Sequence, residues 1–252
     1  MPMSTDTDNL VASPCCNPEM TLEQALAAYS GLGFRKFEAF TGWVKSALDV
    51  ERDPQPYLRL ARQHGMSFAS LHLPPVGDEP DASLGRAIRA AEFAAALGVQ
   101  VVLFKAASRE RYINAARPVL DAAEGLGLTA AVQNHAGTAI STLDDVRAVL
   151  AGVADPRLKA VLEVGHFHKA GESWEAARDY LGGRIALVHV KDMVGPRSVP
   201  FGTGEIDLPA VFRSMRAGGY EGDYVIEMEV EDRRNTLRYL AEAIEYIRRH
   251  CL

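Results

Sequence analysis

Glu163, His189 and Glu227 bring two carboxylates and an imidazole to the second half of the chain, and Gln133 adds a carboxamide. An oxygen and nitrogen donor set without thiolate suits one divalent ion (Mn, Mg, Zn or Co) and excludes a cysteine-built zinc knot. Each of these residues ends an apolar run, and so do others. Glu38, Ser70 and His72, Lys105, Gln133-Asn134-His135, Glu163 followed by His166 and His168, His189-Val-Lys191-Asp192, and Glu227 with Glu229 all fall at such ends. Five of the seven histidines are among them, so the polar groups are gathered at one pole of whatever the runs build. Taken singly, a glutamate at a strand end is more often a solvated or ion-paired group. The ordered set is what points to chemistry. Lys105, Lys191 and Arg197 are placed to meet an anionic substrate group, with Glu38 and His72 on the same rim as further substrate contacts. Cys15 and Cys16 read as buried, inert thiols.

The runs that carry these residues cover 9–13, 34–40, 66–73, 99–104, 128–133, 158–164, 185–190 and 224–229. Runs such as Val99-Gln-Val-Val-Leu-Phe104 read as parallel strands covered on both faces. Between them lie amphipathic helices, with capping-box spacing at Thr21/Gln24 and Thr142/Asp145. The last helix shows a stripe of Leu237, Leu240, Ile244 and Ile247, backed by charged residues. Helix-ending glycines are expected at Gly33, Gly65, Gly98, Gly127, Gly152, Gly183 and Gly219, a repeat of strand plus helix. Eight such units in 252 residues, with no G-x-G-x-x-G turn after the first strand, predict a single (β/α)₈ TIM barrel over 1–252, with a flexible tail at 1–8. In that fold the C-terminal ends of the strands hold the site. Acidic residues outnumber basic ones, 33 to 27, which disfavours nucleic acid as a partner. No apolar run reaches the length of a membrane span, and the polar, acidic start has no secretory h-region. Three cysteines form no disulfide framework. A cytoplasmic protein without membrane contact is the expectation.

Val132-Gln-Asn-His135, Leu162-Glu-Val-Gly-His166, His189-Val-Lys-Asp192, Gly202-Thr-Gly-Glu-Ile-Asp207 and Gly219-Tyr-Glu-Gly222 leading into Glu227 resemble, in order, the motifs of the sugar phosphate isomerase/epimerase family of xylose isomerase-like barrels. That group includes hydroxypyruvate isomerase, tagatose-type 3-epimerases and inosose dehydratase. The stretch Pro200–Ile206 after Arg197 is most similar to hydroxypyruvate isomerase. The resemblance implies one metal held by Gln133, Glu163, His189 and Glu227, where the family has Glu, Asp, His and Glu. Gln133 cannot accept a proton near neutral pH, so metal affinity is expected to be lower and only Glu227 remains as a carboxylate base. The implied reaction is one-base isomerisation of a small keto-sugar or hydroxycarbonyl compound through an enediolate, with His135 or His166 as the acid. A dehydratase of inosose-dehydratase type is the alternative, as is a degenerate barrel that binds a carbohydrate without turning it over. A homo-oligomer is compatible with the resemblance. Endonuclease IV relatives share the barrel, and His72 stands at a position like one of their zinc ligands. They need an Asp-x-His where this chain has Arg197-Ser-Val-Pro-Phe201, so a DNA-repair role is disfavoured.

Overall fold

The computed structural model describes residues 7–252. Of the tail expected over 1–8, only Thr7 and Asp8 fall within them. Eight parallel strands close into a barrel: β1 (Leu10–Ala12), β2 (Lys36–Phe40), β3 (Ser67–His72), β4 (Val101–Leu103), β5 (Thr129–Val132), β6 (Lys159–Glu163), β7 (Ile185–Val190) and β10 (Tyr224–Ile226). Neighbours in sequence are neighbours in space, and β10 closes the ring against β1 through Leu10/Tyr224, Val11/Val225 and Ala12/Ile226.

The connecting helices are α1 (Leu22–Leu32), α2 (Gln55–Gln63), α3 (Pro80–Ala96), α4 (Arg109–Gly125), α5 (Leu143–Val153), α6 (Val164–Lys169), α7 (Trp174–Leu181), α8 (Leu208–Ala217) and α9 (Thr236–His250). Both predicted capping boxes form, at Thr21/Gln24 and Thr142/Asp145. In α9, Leu240, Ile244 and Ile247 are buried while Arg238–Glu242 and Arg248–Glu245 pair on the outside. Two of the expected helix-ending glycines do something else. Gly152 lies within α5, which ends at Ala154 in the left-handed region (φ 52°), and after α7 Gly182 rather than Gly183 takes the positive φ.

Alternation along the strands separates two cores. Outward residues such as Phe37, Leu71, Phe104, Leu162 and Val188 pack under the helices. Inward residues Val11, Ala69, Leu103, Ala131, Val161, Leu187 and Val225 form a small apolar layer across the barrel axis. Because side chains repeat every second residue, the residue two places on from Leu103, Ala131, Val161, Leu187 and Val225 also faces inward. Those residues are Lys105, Gln133, Glu163, His189 and Glu227. The apolar layer is therefore the floor on which the polar set stands.

The ladders are shorter than the apolar runs. Gln133, Glu227 and Glu229 lie just past the last residues of β5 and β10, and the Glu227 N–H still donates to the Val190 carbonyl at 2.9 Å. The segment after β7 folds into an antiparallel hairpin of β8 (Asp192–Val194) and β9 (Arg197–Val199).

Candidate active site

At the centre of the mouth stands His189, fully buried. Its Nδ1 lies 3.0 Å from Glu163 Oε2 and 3.2 Å from Glu227 Oε1, and its Nε2 lies 3.2 Å from Glu38 Oε1. Burial alone would push the imidazole down, but the charges of Glu38 and Glu227 and the bond to Glu163 carry it well above its ordinary range. The carboxylates answer in kind. Burial raises Glu38, Glu163 and Glu227, and the surrounding cations more than reverse this, so all three are held below the usual carboxylate range. For Glu227 the largest opposing influence is Lys191, whose Nζ is 2.9 Å from Oε2. The same ammonium donates to Glu229 at 2.6 Å.

Donor atoms of Glu163, His189 and Glu227 all lie within 4.8 Å of one another, and Glu163 Oε1 is buried without a hydrogen-bond partner. A buried carboxylate oxygen left unpaired costs free energy unless something positive meets it. Two carboxylates and one imidazole nitrogen around such an oxygen fit a divalent cation. Gln133, expected to ligate through its oxygen, reaches the same cluster. Its amide Nε2 faces the cluster, donating to Glu163 Oε2 at 3.0 Å and lying 3.2 Å from His189 Nδ1.

Glu38, expected on the rim as a substrate contact, lies beneath it instead. It has no exposed surface, and Ser13 and Ser70 donate to its two oxygens at 3.1 and 3.0 Å. It is a buried support for His189 and for His72, whose Nε2 approaches it at 3.0 Å. His72 is pushed down to about 4 by burial and by the charge of Lys105. Ser13 signals nothing in the sequence, since its role depends on β1 standing beside β2.

Above the cluster is a chamber of about 80 Å³ walled by Cys15, Phe40, Trp43, His72, Lys105, Gln133, His135, His166, Lys191, Glu227 and Glu229. Burial raises the Cys15 thiol well above its ordinary value, so it sits there as an unreactive thiol. Lys105 has no hydrogen-bond or ion-pair partner among the described residues; its ammonium lies 5.9 Å over the Phe40 ring, and burial lowers its pKa. Trp43, 65% exposed, holds φ at 54° and leans on Phe40. A positive φ on so bulky a residue is strained backbone, of the kind that collects at binding sites.

His135 and His166 lie in ring contact, tilted by 41° with centroids 3.9 Å apart. Burial pushes His166 down to about 4, with Lys191 and His135 adding to the fall against Glu163. At that value it is neutral near pH 7. Its Nδ1 accepts the Ala136 N–H at 3.4 Å, leaving the proton on Nε2.

The remaining motif residues build the frame. Asp192 accepts the backbone N–H groups of Met193, Gly202 and Gly204 at 2.9–3.0 Å, fixing the 200–206 segment under the hairpin. Glu205 accepts from Gly195 and meets His168 Nε2 at 2.9 Å, while Asp207 caps α8. A Cβ on Gly165 would lie 2.8 Å from the Lys191 stem, so only glycine lets that side chain pass to Glu227. Arg197 stands outside the chamber, on β9, in the wall of a second cavity of about 330 Å³.

Comparison with known proteins agrees with this architecture. The xylose isomerase-like TIM barrel family matches residues 26–250. The chain is 28% identical over 152 residues to an inosose dehydratase of Geobacillus thermodenitrificans, covering 52% of this chain and 51% of that protein. It thus spans about half the length of that relative. It is 24% identical over 190 residues to L-ribulose-5-phosphate 3-epimerase UlaE of Salmonella paratyphi A, covering 69% and 67% of the two chains. Among solved structures it resembles the IOLI protein with a bound zinc atom (TM-score 0.78, 16% identity, 96% and 98% covered). It also resembles the 3-keto-D-glucoside 4-epimerase YcjR of E. coli (TM-score 0.78, 16% identity, 96% and 99% covered). These two likenesses are of fold. Among the described residues no helix is long and apolar enough to cross a membrane.

Proposed function

The chain belongs to the xylose isomerase-like TIM barrel family, and from that premise we propose that it is a metal-dependent isomerase of a small keto-sugar or hydroxycarbonyl compound. The observation that carries the reading is the convergence of Glu163, His189 and Glu227 around an unpartnered buried oxygen at the mouth of the barrel. A divalent ion held by these three would polarise a substrate carbonyl and its neighbouring hydroxyl.

The protein's own groups do the rest. Lys191 keeps Glu227 ionised, so a carboxylate is ready to take the proton next to the carbonyl. Gln133 cannot share that work, because an amide accepts no proton near neutral pH. The proton then returns from the same carboxylate to the adjacent carbon, which gives isomerisation rather than exchange between two faces. His166 presents an N–H on Nε2 to a substrate oxygen. Lys105, four strands from Glu227 in either direction around the barrel, meets an oxygen that gains negative charge on the opposite wall. Phe40 and Trp43 cover the chamber with apolar surface.

The similarity to inosose dehydratases favours a second reading on the same groups, in which hydroxide leaves after Glu227 removes the proton. The experiment is incubation of manganese-loaded protein with small ketoses and inososes in deuterated water. Incorporation of deuterium with conserved mass otherwise marks an isomerase, and loss of water marks a dehydratase. Glu227→Gln is expected to abolish both; exchange that survives in this variant sinks the assignment. His189→Ala is expected to lose bound manganese by elemental analysis.

A further inference from the structure

The imidazole of His189 is engaged on both sides of its ring. Its Nδ1 faces Glu163 and Glu227, the set proposed to hold the catalytic ion, and its Nε2 faces Glu38 of β2. His72 of β3 approaches the same Glu38 oxygen, and donor atoms of Glu38, His72 and His189 lie within 4.8 Å of one another. All three residues are buried. Hydrogen bonding does not account for their closeness. The Nε2 atoms of His72 and His189 stand 3.0 and 3.2 Å from Glu38 Oε1, yet neither has a hydrogen-bond partner among the described residues. His72 Nδ1 has none either, so both nitrogens of that buried ring are unbonded. Buried polar atoms in that condition cost free energy unless something else meets them. Donors about 2.1 Å from a tetrahedral zinc lie about 3.4 Å apart, close to the spacings seen here.

We propose that Glu38, His72 and Nε2 of His189 form a second cation site, for an ion of the zinc and cobalt class, joined to the first through the His189 ring. The donor chemistry separates the two sites. Two imidazole nitrogens and one carboxylate are a His₂Glu set, which zinc takes with its fourth position left for water or substrate. The first set has the opposite balance, two carboxylates and one nitrogen. The charge of Lys105 is felt at His72, which disfavours a hard ion held by charge alone and selects one that bonds to nitrogen. Ser13 and Ser70 donate to the Glu38 carboxylate and fix its orientation. His72 is also a wall of the chamber, so an ion has a way in. With both sites filled, His189 bridges as an imidazolate, its two nitrogens exchanging protons for ions. The site goes beyond the isomerase reading and shares only His189 with it.

The test loads chelator-treated protein with cobalt(II), counts the metal by elemental analysis after desalting, and locates it in cobalt-soaked crystals by anomalous scattering. Wild type is expected to hold two cobalt ions per chain, one of them on the Nε2 side of His189 between Glu38 and His72. His72→Leu is expected to lose that peak and half of the cobalt, whereas Glu163→Gln keeps the peak. Circular dichroism checks the fold of each variant, and the wild-type map decides the matter even if His72→Leu does not fold. Two cobalt ions still bound by folded His72→Leu would overturn the proposal. A single wild-type peak on the Nδ1 side, or no peak at all, overturns it too, and the first of these leaves the isomerase reading standing. A single peak on the Nε2 side upholds this site and counts against the other.

Discussion

Gln133 sets the charge of the cluster. In its place a carboxylate would add a third acid to Glu163 and Glu227 around one imidazole, and their mutual repulsion would be relieved only by a cation. Gln133→Glu is therefore expected to lower the melting temperature of chelator-treated protein and to tighten manganese binding about tenfold or more, so that added manganese raises the melting temperature further than in wild type. Calorimetry and thermal denaturation read both effects; equal manganese affinity in the two proteins would show that the position stays outside the ion's reach. The buried imidazoles make a second prediction. His72 faces Glu38, His189 and Lys105, while His166 faces Glu163, Glu227, Lys191 and His135, and burial brings both down from 6.5 to about 4. As pH falls below 6.5 the unfolded chain takes up these protons and the folded one does not, so stability falls with pH and levels off near 4. Each shift corresponds to roughly 3 kcal/mol at most across the full window. Between 4.5 and 6.5 the lowered acids add a smaller fall of the same sign, confined to the acid end, because their ordinary value of 4.5 lies at its lower edge. His189, raised well above 6.5, is protonated in both states there. Urea denaturation at pH 6.5 and 4.5 measures the fall, and His166→Gln is expected to remove about half of it.

Among the elements, β7 and the hairpin after it depend on close approaches that only glycine permits. A methyl on Gly165 meets the Lys191 stem at 2.8–3.1 Å. Gly165→Ala should displace the ammonium from Glu227 and cut turnover while leaving circular dichroism unchanged; full activity in this variant would mean that Lys191 is dispensable to the base. At Gly204 the obstacle is the Asp192 carboxylate and the Met193 carbonyl, at 2.0 and 2.6 Å, so Gly204→Ala should open the 200–206 segment to proteolysis. Strand positions were legible in the sequence because apolar runs and alternation record burial directly, and the inward step of two carried Lys105, Gln133, Glu163, His189 and Glu227 to one rim. The depth of each side chain was not. Glu38 follows a register shift between Phe37 and Glu38 in the pairing of β2 with β3, and its place beneath the rim depends on Ser13 and Ser70 from the flanking strands. The hairpin was hidden because its two short strands pair only with each other, and Gly195-Pro196 marks a turn without saying what it joins.

Across the whole molecule the barrel is divided by the seven-residue apolar layer. Leu187 is nearly fully buried there, and Leu187→Ala should cost about 2–5 kcal/mol in chemical denaturation. A smaller loss would mean that the neighbouring strands close over the gap. The layer has a further effect on traffic. With Val11, Leu103, Val161 and Val225 stoppering the axis, the hollow above the layer is closed from below. Whatever has reacted must depart by the route through which its successor arrives, past the hairpin and the exposed Trp43. Product is thus expected to compete directly with substrate for the free protein.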